Sequence, residues 1–269
     1  MRTILIAALL LIAAAAAAAA MVDDLYQTQT LVTGQGEPNR LLGFGRCLRD
    51  ALVKVSGDLR LADDPRVDAL AQNAAPLVRG FRYRDLLAGI PIHDEQGSRD
   101  RPYELTVDFE PAKIDEALRN LGSAAWGADR PRVAIFVGVR SGASAYLLAG
   151  NSNRGIDQRE ALASAAKLRG LPVILPSVAA FFESGMPLDN LASADPAALD
   201  AAAKRAGGDL ALAGRMVWSD RPPGWVADWR LVAAGKVHEW RTYARTFDET
   251  FRRALGGVTQ ILSGHGEPN

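Results

Sequence analysis

The chain has 269 residues, of which 48% are apolar, enough to bury the cores of two ordinary domains. Lysine plus arginine equals aspartate plus glutamate at 31 each, so no net charge attracts a polyanion and a nucleic-acid partner is disfavoured. The single cysteine, Cys47, excludes an internal disulfide, and its place on the apolar face of a predicted helix indicates a small buried hydrophobe.

The first twenty residues have the pattern of a secretory signal peptide. Arg2 precedes an unbroken apolar run, and the small residues Ala18 and Ala20 match a cleavage site. We therefore expect a signal peptide over residues 1–20, cleaved after Ala20, and a periplasmic mature protein. The alternative is a retained membrane anchor, because Ile4 to Val22 is long enough to cross a bilayer. A membrane contact is expected only in that case.

A small α+β domain is predicted over residues 21–122. Its pattern is strand, helix, helix, hairpin, helix. The elements are a strand at Leu25–Thr33, a helix at Leu41–Val55 ended by Gly57, a helix from Pro65, a hairpin from Phe81 to Phe109 with its loop at His93–Arg101, and a helix from Pro111.

A linker at residues 123–131 leads to a predicted mixed-sheet α/β domain at 132–263, followed by a tail at 264–269. Apolar strands alternate with helices, and a hairpin follows them, which is typical of a mixed sheet. The predicted elements are strands at Val133–Val139, Leu171–Leu175, Leu210–Trp218, Trp225–Leu231 and Val237–Tyr243, helices at Gln158–Arg169, Ala197–Ala206 and Asp248–Leu262, and a loop at Ser141–Gly155.

Several of these segments resemble an exported proteobacterial family, domain-of-unknown-function family 2066. The segments are ALVKVSG at Ala51–Gly57, YELTVDF at Tyr103–Phe109, RPRVAIFVGV from Arg130, LRGLPVILP at Leu168–Pro176 and LALAGRM at Leu210–Met216. The resemblance implies export but supplies no activity and no site residue. At the level of fold alone, the second unit is similar to the amino-terminal domain of the TolB family, which implies binding within the cell envelope.

No arrangement of residues specifies a metal, a cofactor or a nucleotide. His93, His238 and His265 lack partners at metal-ligand spacing, and no glycine-rich phosphate loop occurs. We expect no cofactor. The closest approach to a nucleophile motif is Ser144, which follows the first strand of the second unit and could be combined with His238 and an aspartate. It lacks the second glycine of the motif and a helix directly behind the serine.

Tryptophan is concentrated in the predicted meander. Trp218, Trp225, Trp229 and Trp240 lie within one stretch of a chain otherwise sparing in aromatics. If exposed, Trp225, Trp229 and Trp240 are candidate partner-binding residues, because tryptophan supplies a large contact area at small entropic cost. If buried, they form the core beneath the last helix.

The sequence thus favours a periplasmic binding or accessory protein of the bacterial cell envelope, without a catalytic site, whose partner is an envelope protein or peptide. The alternatives are a periplasmic serine hydrolase using Ser144 and an inner-membrane-tethered subunit of an envelope complex.

Overall fold

The computed structural model describes residues 20–89, 101–186 and 188–268. The predicted signal peptide and most of the predicted loop at His93–Arg101 lie outside these residues. The strands are β1 (Ala20–Met21), β2 (Gln27–Thr33), β3 (Val78–Asp85), β4 (Pro102–Phe109), β5 (Asp129–Arg130), β6 (Val133–Ser141), β7 (Ser144–Leu147), β8 (Val173–Ile174), β9 (Leu210–Asp220), β10 (Pro223–Ala233) and β11 (Lys236–Ala244). The α-helices are α1 (Glu37–Ser56), α2 (Pro65–Gln72), α3 (Pro111–Asn120), α4 (Ile156–Arg169), α5 (Val178–Glu183), α6 (Pro196–Arg205) and α7 (Phe247–Leu262).

The first unit is a three-stranded antiparallel sheet with helices on one face. Its strand order is β2-β4-β3. Residues on the central strand alternate, so that Leu105, Val107 and Phe109 are fully buried in one cluster with side chains of α1 and α3. The opposite face carries polar pairs such as Arg84 with Glu104. The predicted hairpin with one solvated face is thereby confirmed.

Helix α1 begins earlier than the sequence suggested. Pro38 was expected to belong to a turn, but it occupies the first turn of the helix, where its missing N–H costs nothing. Gly43 and Gly45 allow close packing, because an added Cβ would lie 2.5 Å from Leu105 Cδ2 and 2.6 Å from the Ala71 carbonyl oxygen, respectively. The helix ends, as expected, at Gly57, which has a left-handed φ of 74°.

The second unit is a mixed sheet covered by helices on both faces. The strand order is β11-β10-β9-β6-β7, and β8 pairs in parallel with the first residues of β6. β6 and β9 are parallel, whereas β9, β10 and β11 form an antiparallel meander. α4 and α7 pack on one face, and α5 and α6 pack on the other. The combined architecture is the α+β fold expected.

Two segments of the second unit differ from the prediction. The stretch expected to be a loop after β6 is a hairpin, because Gly142, at φ 56°, turns the chain so that Ser144–Leu147 pairs back on β6. The strand expected at Leu171–Leu175 is only the two residues of β8. Pro172 and Pro176 flank it, and proline removes the N–H groups that a longer ladder would need.

The segment expected to link the units is packed into the structure. β5, within it, pairs with β1, which joins Ala20 to Arg130 and Met21 to Asp129. The expected tail also has partners, since Glu267 accepts a contact from His238 Nδ1 at 2.7 Å. Within the three described ranges, no helix is long and apolar enough to cross a membrane.

Candidate functional site

The two units are joined around one buried arginine. Arg130 is fully buried, and its guanidinium donates hydrogen bonds of 2.8 to 3.3 Å to six backbone carbonyls and to no carboxylate. The acceptors are the carbonyl oxygens of Lys54, Val55, Trp126, Gly127, Arg169 and Gly170. We call this arrangement the junction.

The junction brings together the carboxyl ends of two helices. Lys54 and Val55 lie in the last turn of α1, and Arg169 ends α4. Because helix C-termini carry unpaired carbonyls and partial negative charge, one cation between them satisfies both. The Trp126 ring lies under the guanidinium carbon at 4.2 Å and adds a cation–π contact. Burial lowers the pKa of Arg130 to about 10, so the group is charged at neutral pH.

A second contact between the units contains a serine, a histidine and an aspartate. Ser263 Oγ lies 2.8 Å from His265 Nδ1, and His265 Nε2 lies 3.7 Å from Asp58 Oδ2. The arrangement lacks the features of a hydrolytic triad. Ser263 caps the C-terminus of α7, where carbonyl groups would repel an oxyanion, and its Oγ is so close to Gly57 that an added Cβ would come within 2.6 Å. Its evident role is to pack the end of α7 against the end of α1.

Beside the junction, the units leave an open cleft of about 430 Å³. This volume is typical of small-molecule sites. One wall is β2 of the first unit, and the other walls are α4 and the first turns of α7. The lining residues are Gln27, Thr28, Gln29, Lys54, Ala161, Ser164, Ala165, Lys167, Leu168, Thr246, Asp248 and Arg252.

Three cations and one carboxylate line this cleft, giving it positive character in a chain without net charge. Lys54 is the buried cation, and its ammonium is saturated by the carbonyls of Asp24 and Gln27 and by the Asp24 carboxylate. Burial lowers its pKa. Lys54 therefore fixes the start of β2 and has no hydrogen left for a ligand.

The other two cations are accessible. Lys167 reaches across the cleft from α4 and donates to Gln29 Oε1 at 2.8 Å. Arg252 is about half exposed and contacts Glu249 on its own helix at 3.2 Å. An ammonium has three donors and a guanidinium five, so both groups keep donors for a bound anion. This is the part of the cleft that can recognise a ligand.

The edge of β2 adds the backbone groups of one residue to the cleft. Lys54 binds the carbonyl of Gln27, and Arg46 binds the carbonyl of Leu31, so the carbonyls of these alternate residues point away from β4. Gln29 lies between them in the same register, and its backbone groups therefore face the cleft. Because the carbonyls on either side are occupied, a ligand can bond to the β2 backbone at Gln29 alone.

The candidate tryptophans lie in the core. Trp225, Trp229 and Trp240 are 8%, 2% and 8% exposed, and all belong to the cluster beneath α4 and α7. Trp229 Nε1 donates to Thr242 Oγ1 at 2.9 Å, and its ring packs near Phe251. The three rings therefore offer no exposed platform. They form part of the core beneath the last helix, which was the second of the two alternatives.

Ser144 and His238 are not brought together. Ser144 lies on β7 at one edge of the second sheet and accepts a hydrogen bond from Arg154, whereas His238 lies on β11 at the other edge. Four strand spacings of about 4.8 Å separate them, or roughly 19 Å. His93 lies outside the described residues. Within the described ranges, no group of three metal-ligating side chains occurs.

The fold and the cleft define an α+β protein of two units with a ligand-sized, positively charged site between them. Residues 19–127, the first unit, match the model of a family described as a domain of unknown function, DUF8605. No curated protein and no solved structure was found to match. A domain of unknown function is thereby confirmed for the first unit. The resemblance to family 2066, proteobacterial origin, export and a TolB-like second unit remain predictions.

Sequence reasoning missed the residues of the cleft. Lys167 and Arg252 are ordinary solvent-facing positions of predicted helices, and nothing in their spacing marks a site. Arg130 falls in the predicted linker and opens one of the segments of the family resemblance. The one available signal was an arginine shortly before a buried strand, in a segment that otherwise has linker composition.

Proposed function

We propose that this protein is a non-catalytic binding protein of the bacterial cell envelope, and that the cleft holds an acidic segment of an envelope protein or peptide. The observation that carries the proposal is the pair of accessible cations, Lys167 on α4 and Arg252 on α7, in a cleft whose third wall is β2. An extended segment pairing with Gln29 would place its carboxylates between the two cations.

The cleft has the parts that recognition of such a segment requires. The backbone amide of Gln29 and the hydroxyl of Ser164 can exchange hydrogen bonds with a peptide. Ala161, Ala165 and Leu168 form an apolar wall. A cleft of mostly apolar and neutral lining with a few placed charges is typical of binding sites. The lining includes no histidine or cysteine, and Asp248 is its one carboxylate.

Export to the periplasm is part of the proposal and rests on residues 1–20 of the sequence. Cleavage after Ala20 would remove the pair of Ala20 with Arg130 and leave Met21 paired with Asp129. Mass spectrometry of the protein from a periplasmic extract should give an N-terminus at Met21, and a chain retained in membranes with residues 1–20 attached would favour the tethered alternative.

Binding is tested with a fluorescein-labelled peptide containing two adjacent glutamates and a twin containing two glutamines. The protein should bind the glutamate peptide about tenfold more tightly, because two exposed ion pairs contribute up to about 1 kcal/mol each. The preference should weaken as salt is added.

The matched variants are Lys167→Gln with Arg252→Gln, and, as a control, Lys204→Gln with Arg205→Gln. The control removes the same two residue types from exposed positions of α6. The first pair should abolish the preference for glutamate, and the control should retain it. Equal binding of both peptides by the unaltered protein would refute an acidic ligand.

A further inference from the structure

The edge strand β11 points alternate backbone groups away from its sheet. It joins β10 through the two-residue turn Ala234–Gly235, and the pair that closes such a turn, Ala233 with Lys236, exchanges hydrogen bonds. Even-numbered residues of β11 therefore bond to β10, and odd-numbered residues point their N–H and C=O groups outward. The carbonyl of Tyr243 follows this pattern, since it accepts from Arg253 on α7.

The side chains of those odd-numbered residues are exposed and arranged symmetrically about Trp240. Val237 is 44% exposed and Tyr243 is 39% exposed, three residues before and three after Trp240. Glu239 and Arg241, with side chains 57% and 71% exposed, lie one residue before and one after it. A strand with this pattern is complementary to a second copy of itself running in the opposite direction.

We propose that β11 pairs antiparallel with β11 of a second copy of this chain, with the twofold axis at Trp240. In that register Glu239 lies opposite Arg241 of the other copy, and Val237 lies opposite Tyr243, each pair occurring twice. Twofold dimers with self-complementary interfaces are the commonest oligomers, and directly opposite pairs of this kind stabilise adjacent strands.

The charges on neighbouring strands extend the complementarity. On this face of the sheet, Arg215, Asp228 and Arg241 form a row across β9, β10 and β11, with Asp228 in contact with both arginines. In the dimer the row continues into Glu239 and then Arg230 of the other copy, which contact each other within one chain. Signs alternate along the whole row, so every directly opposite pair in it is of unlike charge.

The side chains of β11 fit an edge that pairs with a second copy better than an edge that is protected against pairing. Edges protected against pairing commonly carry charged side chains, proline or a bulge. β11 has neither proline nor a register shift, and its central charges are of opposite sign at positions that the twofold axis exchanges, so they attract a second copy. The interface does not involve the cleft or its ligand.

Sedimentation velocity tests the proposal. The protein is purified as the expressing cells produce it and is measured over a series of concentrations. The unaltered protein should form a dimer. Glu239→Arg places arginine opposite arginine, and Arg241→Glu places glutamate opposite glutamate, so each variant should raise the dimer dissociation constant at least about tenfold. An equimolar mixture of the two variants should form heterodimers, because every opposite pair regains unlike charges.

Val237→Asp, at an exposed position outside the ion pairs, should also weaken the dimer, and it replaces a charge-reversal variant that fails to fold. Glu116→Arg, a charge reversal at an exposed position of α3, should leave the dimer intact. A protein that remains monomeric at every concentration would overturn the proposal. So would a dimer that all three β11 variants leave unchanged, or folded single variants that fail to associate when mixed.

Discussion

The two units meet in two cationic regions that differ in how completely their charges are satisfied. At the junction, Arg130 is buried and bonds to six carbonyls. In the cleft beside it, Lys167 makes one hydrogen bond and Arg252 contacts one carboxylate on its own helix. The number of acceptors around a cation, rather than its charge, separates a group that holds the fold from one that can hold a ligand.

The difference follows from where each cation lies relative to the helix ends. The carboxyl ends of α1 and α4 meet at the junction and surround Arg130 with carbonyl acceptors. Lys167 and Arg252 line the cleft from exposed positions of α4 and α7, and the amino end of α7 is already capped by the Thr246 hydroxyl, which accepts from the Glu249 N–H. The attraction for an anion therefore comes from these two side chains.

The largest effect is expected from Arg130→Gln. The shorter neutral side chain cannot reach two helix ends, and several buried carbonyls lose their donors. The free energy of unfolding in urea should fall by about 3–5 kcal/mol. Arg132→Gln is the control, because the Arg132 side chain makes a single 3.5 Å contact, with the Gly207 carbonyl, and its effect should stay within about 0.5 kcal/mol. If the free energy of unfolding fell no further in the Arg130 variant than in the control, the junction would not stabilise the fold.

A smaller loss of stability is expected from Gly214→Ala, which tests whether the tryptophans are core. An added Cβ would lie 2.3 Å from the ring of Trp229, so overpacking should lower the free energy of unfolding by about 1–3 kcal/mol. Gly80→Ala has open space at its Cβ and a permissive φ, and should be neutral by comparison. If Gly214→Ala were equally neutral, the ring of Trp229 would have to lie elsewhere.

Asp58→Asn should lower stability in a pH-dependent way. Burial alone would raise the pKa of the Asp58 carboxyl, but hydrogen bonds from Arg60 and the proximity of His265 outweigh it and lower the pKa. A lowered folded-state pKa contributes stability above the ordinary aspartate pKa, and that contribution is lost as the pH falls through the folded value. The variant should therefore be less stable by about 1 kcal/mol at neutral pH, and the difference should vanish in acid.

Chemical denaturation of both proteins at a series of pH values measures this difference. A gap between the two proteins that is constant with pH would mean that the carboxylate charge contributes nothing at this contact.

The smallest effect on stability is expected where the effect on binding is greatest. Lys167→Gln with Arg252→Gln removes accessible charges with few partners, so the free energy of unfolding should change by less than about 0.5 kcal/mol. Urea unfolding of the double variant beside the Lys204→Gln, Arg205→Gln control measures it. A loss comparable to that of Arg130→Gln would mean that the cleft cations hold the units together.

The elements with strong periodicity were predictable from the sequence. The apolar run Val133–Val139 and the alternation at Trp225–Leu231 gave strands, and Gly57 and Gly170 ended helices, because these signals are local. The hairpin at Ser144–Leu147 was missed since its strand is short and its pairing depends on β6.

The candidate site could not be predicted in the same way. It depends on how α4 and α7 of the second unit meet β2 of the first, and Lys167, Arg252 and Gln29 are far apart in the chain. The tryptophan cluster was predicted as a cluster, but alternation alone cannot tell whether a strand's apolar face meets helices or solvent. In this protein α7 covers that face, since its Phe251 packs near Trp229.

Hydrogen–deuterium exchange with and without the diglutamate peptide tests the central claim most directly, because it reports where the ligand lies. Saturating peptide should slow exchange in β2, with the Gln29 amide the most affected, and in the facing turns of α4 and α7, while the amides around Arg130 keep their rates. Slowed exchange elsewhere, with Gln27–Thr33 unchanged, would contradict the assignment of the cleft as the binding site.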